Sequence, residues 1–397
     1  MKKLLCLLLL AAVLVALVGC NTPPTLGIDS SGLEPFVIGG IGPLTEDRGQ
    51  YGRSVYQGAQ LAVEEINATG GVNGFRLVLN FQDSKGNPET AGTLYNKLTD
   101  NSMRVLLGGV FSDETEVLAK KAAEDGLLAL TPTASHSLVL AGDDTVFRVC
   151  YSDARIGEIA ANFVADQRLA DRVAVLWSDD YFGGAEQSEA FATTFEGRGG
   201  RVSVHEISVD STEPAESEPD FSKIFTDFAK NPPSMIYFAA SPELILSFLA
   251  ELPLNEDAPV KILLGSCGEA LVSRTDVPLL ESAWVVTPYS AADSSALVQN
   301  FISAYQEKYG KTPDRYAADA YDGVYAIAEA MKKAGVTPDT VDNGDFNKKM
   351  VSAMTKITVN GVTGAMSWTA DGETTRPASV KVIQQGKLVS LVKENGT

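Results

Sequence analysis

The stretch GVFSDET at 109–115 puts a serine and two acids where an apolar run, RVLLGGV, meets a segment of helical character, DETEVLAKKAAEDG. A strand that turns this abruptly into a helix leaves backbone N–H groups without partners and aims the positive end of a helix dipole above the strand. Such a spot holds an anion without help from lysine or arginine. Ser112 stands at the junction, where it either touches that anion or caps its own helix. Other strand-end stretches read GPLTEDRGQYG, TPTASHS, RVCYSD, WSDDYFGG, AASPE and GSCGE. With VFSDE they combine hydroxyls, a few carboxylates and the rings of Tyr51, Phe111, Tyr151, Tyr181 and Phe182, a mixture suited to a small, partly apolar molecule with a charged end.

Residues that would make an enzyme are scarce. The histidines are His136 and His205, and no HExxH, GxSxG or Walker A stretch occurs. Cys267 in GSCGE has no histidine tied to it, so a thiol nucleophile is disfavoured. His136 in PTASHS lies at a strand end, near a ligand or in solvent, and His205 alternates with Val202 and Val204 on what reads as the polar face of a strand. No metal-ligand spacing and no cofactor motif is present, so neither is expected.

These residues must be positioned by the elements around them. Phe36 to Gly42 is a short apolar run, and SVYQGAQLAVEEINATGG sets Val55, Ala59, Ala62, Val63 and Ile66 on one helical face before paired glycines. RLVLNFQD, PETAGTLYNKLTD, RVLLGGV, the helix from Asp113, LLALTP and FRVC continue the alternation. Around Tyr151 the pattern restarts, through RVAVLWSDD, RVSVHEIS, SMIYFAAS and VKILLGS with helices between them. Alternation with short loops predicts two doubly wound α/β domains, each with a parallel sheet. ESAWVVTPY is followed by two strongly periodic helices, and GAMSWTADGETTRPASVKVIQQGKLVSLV returns to short strands. The acidic stretch STEPAESEPD at 211–220 reads as a solvated surface loop.

The chain opens MKKLLCLLLLAAVLVALVGCN, a secretory signal by its lysines, apolar run and small-residue end. Residues 21–33 lack periodicity and read as a flexible stalk. Beyond the signal, 30 basic residues face 51 acidic ones, a net charge of −21. Such a body repels nucleic acid. Cys150 and Cys267 either pair or stay as small buried hydrophobes.

Several stretches carry a resemblance: YGRSVYQGAQLAVEEINATGGVNGFRL, VFRVCYSD, DDYFGG, EKYGKTPDRYAADAYDGVY and NGVTGAMSW. In order and spacing, from about Phe36 to the C-terminus, they resemble the branched-chain amino acid and amide binding proteins of ABC importers. The resemblance implies the type I periplasmic binding protein fold, two α/β lobes joined by a three-strand hinge. Crossings would fall near 149–153, 286–289 and 377–381. Lobe 1 would then comprise 34–149 with 289–376, and lobe 2 would comprise 153–286 with 379–397. Leu17-Val18-Gly19-Cys20 is similar to a lipoprotein cleavage site, which implies a lipoprotein signal peptide at 1–20 cleaved before Cys20, a lipid on Cys20, and an extracytoplasmic body tethered to the cell membrane.

The same resemblance implies ligand contacts. Ser112, Ala134 and Ser135 would hold a carboxylate, Asp153 a cation or hydroxyl, and Tyr51, Phe111 and Phe182 the ligand body. The family's second acid matches Cys267, which is not acidic, with Glu269 two residues on as a substitute. Partners implied are a small amino acid or related carboxylate and separate permease and ATPase subunits, with the chain itself a monomer and no nucleic acid bound. A sensor for an amide, aromatic or aliphatic carboxylate, passing closure to a receptor, is the other reading. An extracellular hydrolase is a third, opposed by the shortage of bases.

Overall fold

The computed structural model describes residues 31–391 apart from 47, 142–143, 209–218 and 254–258. The signal segment, Cys20, most of the stalk and most of the 211–220 loop lie outside the described residues.

The first half runs β1 (Glu34–Gly42), α1 (Gly49–Ala68), β2 (Phe75–Asp83), α2 (Pro88–Asp100), β3 (Val105–Gly108), α3 (Ser112–Glu124), β4 (Ala129–Thr131) and β5 (Val146–Arg148). Its five strands are all parallel, in the order β2-β1-β3-β4-β5. Local chemistry starts the helices. Asn87 accepts the Thr90 N–H ahead of a proline at the first turn of α2, as an N-cap side chain should.

The second half runs α4 (Asp153–Asp166), β6 (Arg172–Ser178), α5 (Gly184–Gly197), β7 (Arg201–Ile207), α6 (Ser222–Lys230), β8 (Met235–Ala239), α7 (Pro242–Glu251), β9 (Lys261–Leu264) and β10 (Trp284–Val286). After α8 (Ala296–Tyr309), α9 (Arg315–Ala334), α10 (Phe346–Met354), β11 (Val359–Gly361) and β12 (Gly364–Met366), the chain ends in β13 (Val380–Gln384) and β14 (Lys387–Ser390). The second sheet has the order β14-β13-β10-β9-β8-β6-β7. It is parallel from β10 to β7, but β13 and β14 join it antiparallel. Gln385 and Gly386, both at positive φ, make the two-residue turn between them.

Helices α8, α9 and α10 pack their apolar faces into the core of the first sheet, where Phe301, Tyr305, Ile327 and Met350 meet Phe36, Leu107 and Val149. At Gly58 a Cβ would sit 2.0 Å from the Ala317 carbonyl oxygen, so α1 and α9 touch backbone to backbone. That contact sets Tyr51, on the first turns of α1, beside Tyr316 on α9. The chain passes between the two bodies at 149–152, 287–289 and 377–379. These passages are stitched together: Thr287 N–H donates to the Ser379 carbonyl at 3.2 Å, and the Tyr151 hydroxyl to that of Pro377.

One strand face expected to be polar is covered, although Val202 on the opposite face packs on the core as expected. On the edge strand β7, Val204 is 50% exposed, whereas His205 turns inward against the Phe228 ring with Asp227 3.5 Å away. Alternation alone cannot tell which face of an edge strand a helix will cover. Cys150 and Cys267 are both buried, free thiols.

Candidate functional site

The loops after β1, β3 and β4 in the first body face those after β6, β8 and β9 in the second. They enclose a cavity of about 470 Å³, at the carboxyl ends of the strands where each sheet's winding reverses direction.

At the junction of β3 and α3, Phe111 is extended and Ser112 is the first helical residue. Thr115 returns its N–H and hydroxyl to the Phe111 carbonyl at 3.0 and 2.7 Å, and Glu114 N–H goes to the Asp113 side chain at 2.9 Å. The amides left over at the helix start are those of Ser112 and Asp113. The cap position is Phe111, which has no capping side chain, and Ser112 lies inside the first turn. Its hydroxyl accepts the His136 N–H at 3.2 Å from the loop after β4, and it lines the cavity. Arg48 lies 3.4 Å over the Phe111 ring and 3.5 Å from Asp113.

The loop after β4 is held from behind. Arg148, fully buried, donates to the carbonyls of Ala134, Ser135 and His136 in succession. Ser135 lines the cavity beside Thr133, which the sequence reading omitted and whose hydroxyl donates to the Val110 carbonyl at 2.7 Å. Ala134 does not line it, contrary to expectation. Its N–H is taken by the Thr131 hydroxyl at 3.1 Å and its methyl is buried, because the tight turn after β4 needs that amide for itself.

A row of rings forms one wall. Phe111 and Tyr51 meet edge to face at 5.7 Å, and Tyr51 meets Tyr316 at 4.9 Å. Tyr181 and Phe182 face them from the second body, with Phe182 56% exposed.

Three acidic or thiol residues expected at the ligand turn away. Asp153 is 1% exposed, and its Oδ1 accepts from Gln187 Nε2 at 2.7 Å. Gly183, at φ +91°, packs against it so closely that a Cβ there would lie within 2.6 Å of both carboxylate oxygens. Burial pushes the carboxyl above its ordinary pKa, against the opposing bonds from Gln187 and Ser135. Cys267 sits in a 3-10 turn, Ser266–Leu271, and points into the core toward the Phe238 carbonyl. Burial pushes its thiol up to about 12, which removes it as a nucleophile. The neighbouring Ser266 lines the cavity instead, bonded to the Tyr181 hydroxyl at 2.6 Å and to Gln187 at 3.0 Å. Glu269 does not line the cavity either. It accepts the Thr287 hydroxyl and pairs with Arg315 at 3.1 Å. Burial is the main cause that pushes Glu269 up to about 6.

Arg315 itself was not anticipated. It opens α9 behind the N-cap of Asp314, lines the cavity, and meets Asp319 at 3.1 Å, which in turn meets Arg376 at 3.0 Å. The signal available was a basic residue at the first turn of a helix, directly after an aspartate N-cap, in KTPDRYAADAY. At the mouth the bodies touch. His136 and Phe182 rings lie 4.9 Å apart, and Glu186 accepts from the Ser137 N–H at 3.1 Å and from its hydroxyl. Among the described residues no cluster of three or more metal-ligating side chains occurs, and no helix is long and apolar enough to cross a membrane.

Comparison with known proteins places this geometry. The chain is 30% identical over 315 residues, 77% of itself and 81% of the relative, to the Leu/Ile/Val-binding protein BraC3 of Rhizobium johnstonii. It is 26% identical over 321 residues, 80% and 84%, to Leu/Ile/Val-binding protein homolog 3 of Brucella melitensis. In fold it matches the leucine binding protein LivK of Thermotoga maritima, with TM-score 0.71, 24% identity and coverage of 90% and 98%. It also matches a solute binding protein of an ABC transporter from Rhodopseudomonas palustris in complex with 3,4-dihydroxy benzoic acid, with TM-score 0.74, 21% identity and coverage of 90% and 96%. The family model described as periplasmic binding protein covers residues 35–387, so the chain belongs to the periplasmic binding proteins, a family of extracytoplasmic solute binders and not of enzymes.

Proposed function

We propose that this protein is the solute-binding component of an ABC importer, capturing a small carboxylate-bearing solute between its lobes and delivering it to a membrane permease served by separate ATPase subunits. The observation that carries this reading is the pair of unpartnered amides at the start of α3, flanked by the Ser112 and Ser135 side chains, opening into a cavity of about 470 Å³ walled by aromatic rings. Helix-start amides stabilise a carboxylate through oriented N–H groups and the helix dipole. The names of the relatives that bind leucine, isoleucine and valine support a carboxylate ligand.

In this reading residues 34–149 with 289–376 move as one lobe and 153–286 with the C-terminal strands as the other. A ligand favours the closed form because contacts from both lobes exist only there. The Ser137–Glu186 bonds would tie the mouth in that form. The chain acts as a monomer, tethered by a lipid on Cys20.

A thermal-shift screen of the purified protein against amino acids, their amides, and aromatic and aliphatic carboxylates tests the proposal. A carboxylate class that raises the melting temperature with concentration supports it, since ligand at 100 times Kd adds about 2.7 kcal/mol of stability. Stabilisation by none of them overturns it.

A further inference from the structure

The cavity is supplied with donors and short of free acceptors. Among the described residues, each carboxylate in or against it already has a partner. Asp113 faces Arg48, and Asp180 accepts from the hydroxyls of Ser178 and Ser241. Asp319 is fully buried between Arg315 and Arg376. Glu269 is held by Arg315 and Thr287. Asp153 lies behind Gly183 and Gln187, outside the cavity lining, with Oδ1 on Gln187 and a buried Oδ2 that has no hydrogen-bond partner. A ligand ammonium entering this site would lose its water and find no unoccupied carboxylate on the cavity lining, which is costly for any charge taken out of solvent.

Arg315 is placed differently from the other charges of the wall. Its side chain is 12% exposed, with Nε on Glu269 from the second body and Nη1 on Asp319 from its own helix, each at 3.1 Å. Two carboxylates gripping two edges fix the plane of the guanidinium, and Nη2 is the nitrogen left for a ligand. A planar fork held this way is a directed donor, unlike a flexible lysine. Its position relative to the anion site follows from the row of rings. Ser112 adjoins Phe111 at one end, Arg315 adjoins Tyr316 at the other, and Tyr51 bridges them.

We infer that Arg315 is a specificity-determining residue that reads a second oxygen acceptor at the far end of the ligand, so that the cleft selects carboxylates bearing a distal hydroxyl, oxo or carboxyl group and disfavours α-amino acids. This rests on the carboxylate site at Ser112 and deepens that reading. The ligand spans the rings, with its first carboxylate on the α3 amides and its distal oxygen on Arg315.

Calorimetric titration of the purified protein with matched probes tests it: benzoate against 4-hydroxybenzoate, hexanoate against adipate, and leucine and phenylalanine beside them. In at least one pair the member with the distal acceptor should bind about tenfold or more tighter, the size expected for one charge-assisted hydrogen bond. Both amino acids should bind more weakly than that member. In Arg315→Met the ratio within the pair should fall toward one, with Arg315→Lys intermediate. Should Arg315→Met not fold, the order of the wild-type affinities and the Arg315→Lys ratio decide the matter. An amino acid as the tightest probe overturns the inference and returns Asp153 to the ligand, while the binding-protein reading stands. A ratio unaltered in both variants also overturns it, making Arg315 a strut between lobes. Binding of no probe removes it together with the carboxylate reading.

Discussion

On the side of the first sheet, the loops after β3 and β4 present the Ser112 and Asp113 amides, the Ser112 and Ser135 side chains and the Phe111 ring to the cavity, and α1 adds the Tyr51 ring. On the side of the second sheet, the loops after β6 and β9 present Tyr181, Phe182 and Ser266, while Asp153 and Cys267 turn inward. Both walls draw on loops at the carboxyl ends of parallel strands. The first wall relies on backbone amides whose direction follows from a strand turning into a helix. The second relies on side chains whose direction follows from what packs behind them. Of the residues expected at the ligand, Tyr51, Phe111, Ser112, Ser135 and Phe182 line the cavity, and Ala134, Asp153, Cys267 and Glu269 do not.

The contrast can be broken most severely at the network that ties the walls together. Asp319→Ala leaves the buried Arg315 and Arg376 without their shared carboxylate and should cost about 3–5 kcal/mol of folding stability in denaturant titration. A loss under about 1 kcal/mol would mean the walls are held together by the hinge alone. Next comes Gly183→Ala, which places a left-handed alanine against the Asp153 carboxyl. It should cost roughly 2–4 kcal/mol from backbone strain and overpacking together. An unchanged melting temperature would show that Asp153 is free to swing toward the ligand.

Binding separates the walls more gently. Ser112→Ala should weaken a bound carboxylate by about 1–3 kcal/mol through loss of a charge-assisted hydrogen bond, whereas Cys267→Ala should leave its affinity unchanged in the same titration. Equal effects of the two substitutions would erase the distinction drawn between backbone and side-chain walls. The smallest effect concerns pH. Glu269 is pushed from 4.5 up to about 6, chiefly by burial. Its folded pKa exceeds its unfolded one, so the native state binds more protons in that interval. Its contribution to stability is greatest below about 4.5 and declines as pH rises through about 6. Melting temperatures measured from pH 4 to 7 should show this decline in the wild type and lose it in Glu269→Gln. A parallel pair of profiles would place the titration elsewhere.

Much of the fold was legible because it is written locally. Alternating apolar runs and helical faces, Pro88 behind Asn87, and Gly310 and Gly335 at helix ends mark the elements one by one. The strand β7 was located, yet the face read as polar is not its solvent face: α6 covers His205, while on the other face Val202 packs on the core and Val204 stays exposed. Thr133 lines the cavity and Ala134 does not for a similar reason, as the Thr131 hydroxyl claims the Ala134 amide.

By itself the sequence determined the α/β alternation and the anion-ready junction at Ser112, because hydrophobic periodicity and the strand-to-helix turn act within a few residues and set backbone direction directly. The tertiary structure alone decided which acids stay available. Glu269 follows β9 of the second sheet, Arg315 opens a helix packed on the first, and they meet through the assembled fold, while Ser266 and Cys267 trade faces within a short 3-10 turn that carries no periodicity. A buried charge takes whatever partner the packed fold brings within reach, because leaving it unpaired in a poorly solvating interior costs several kcal/mol. That pairing is a property of the folded whole and of no segment within it.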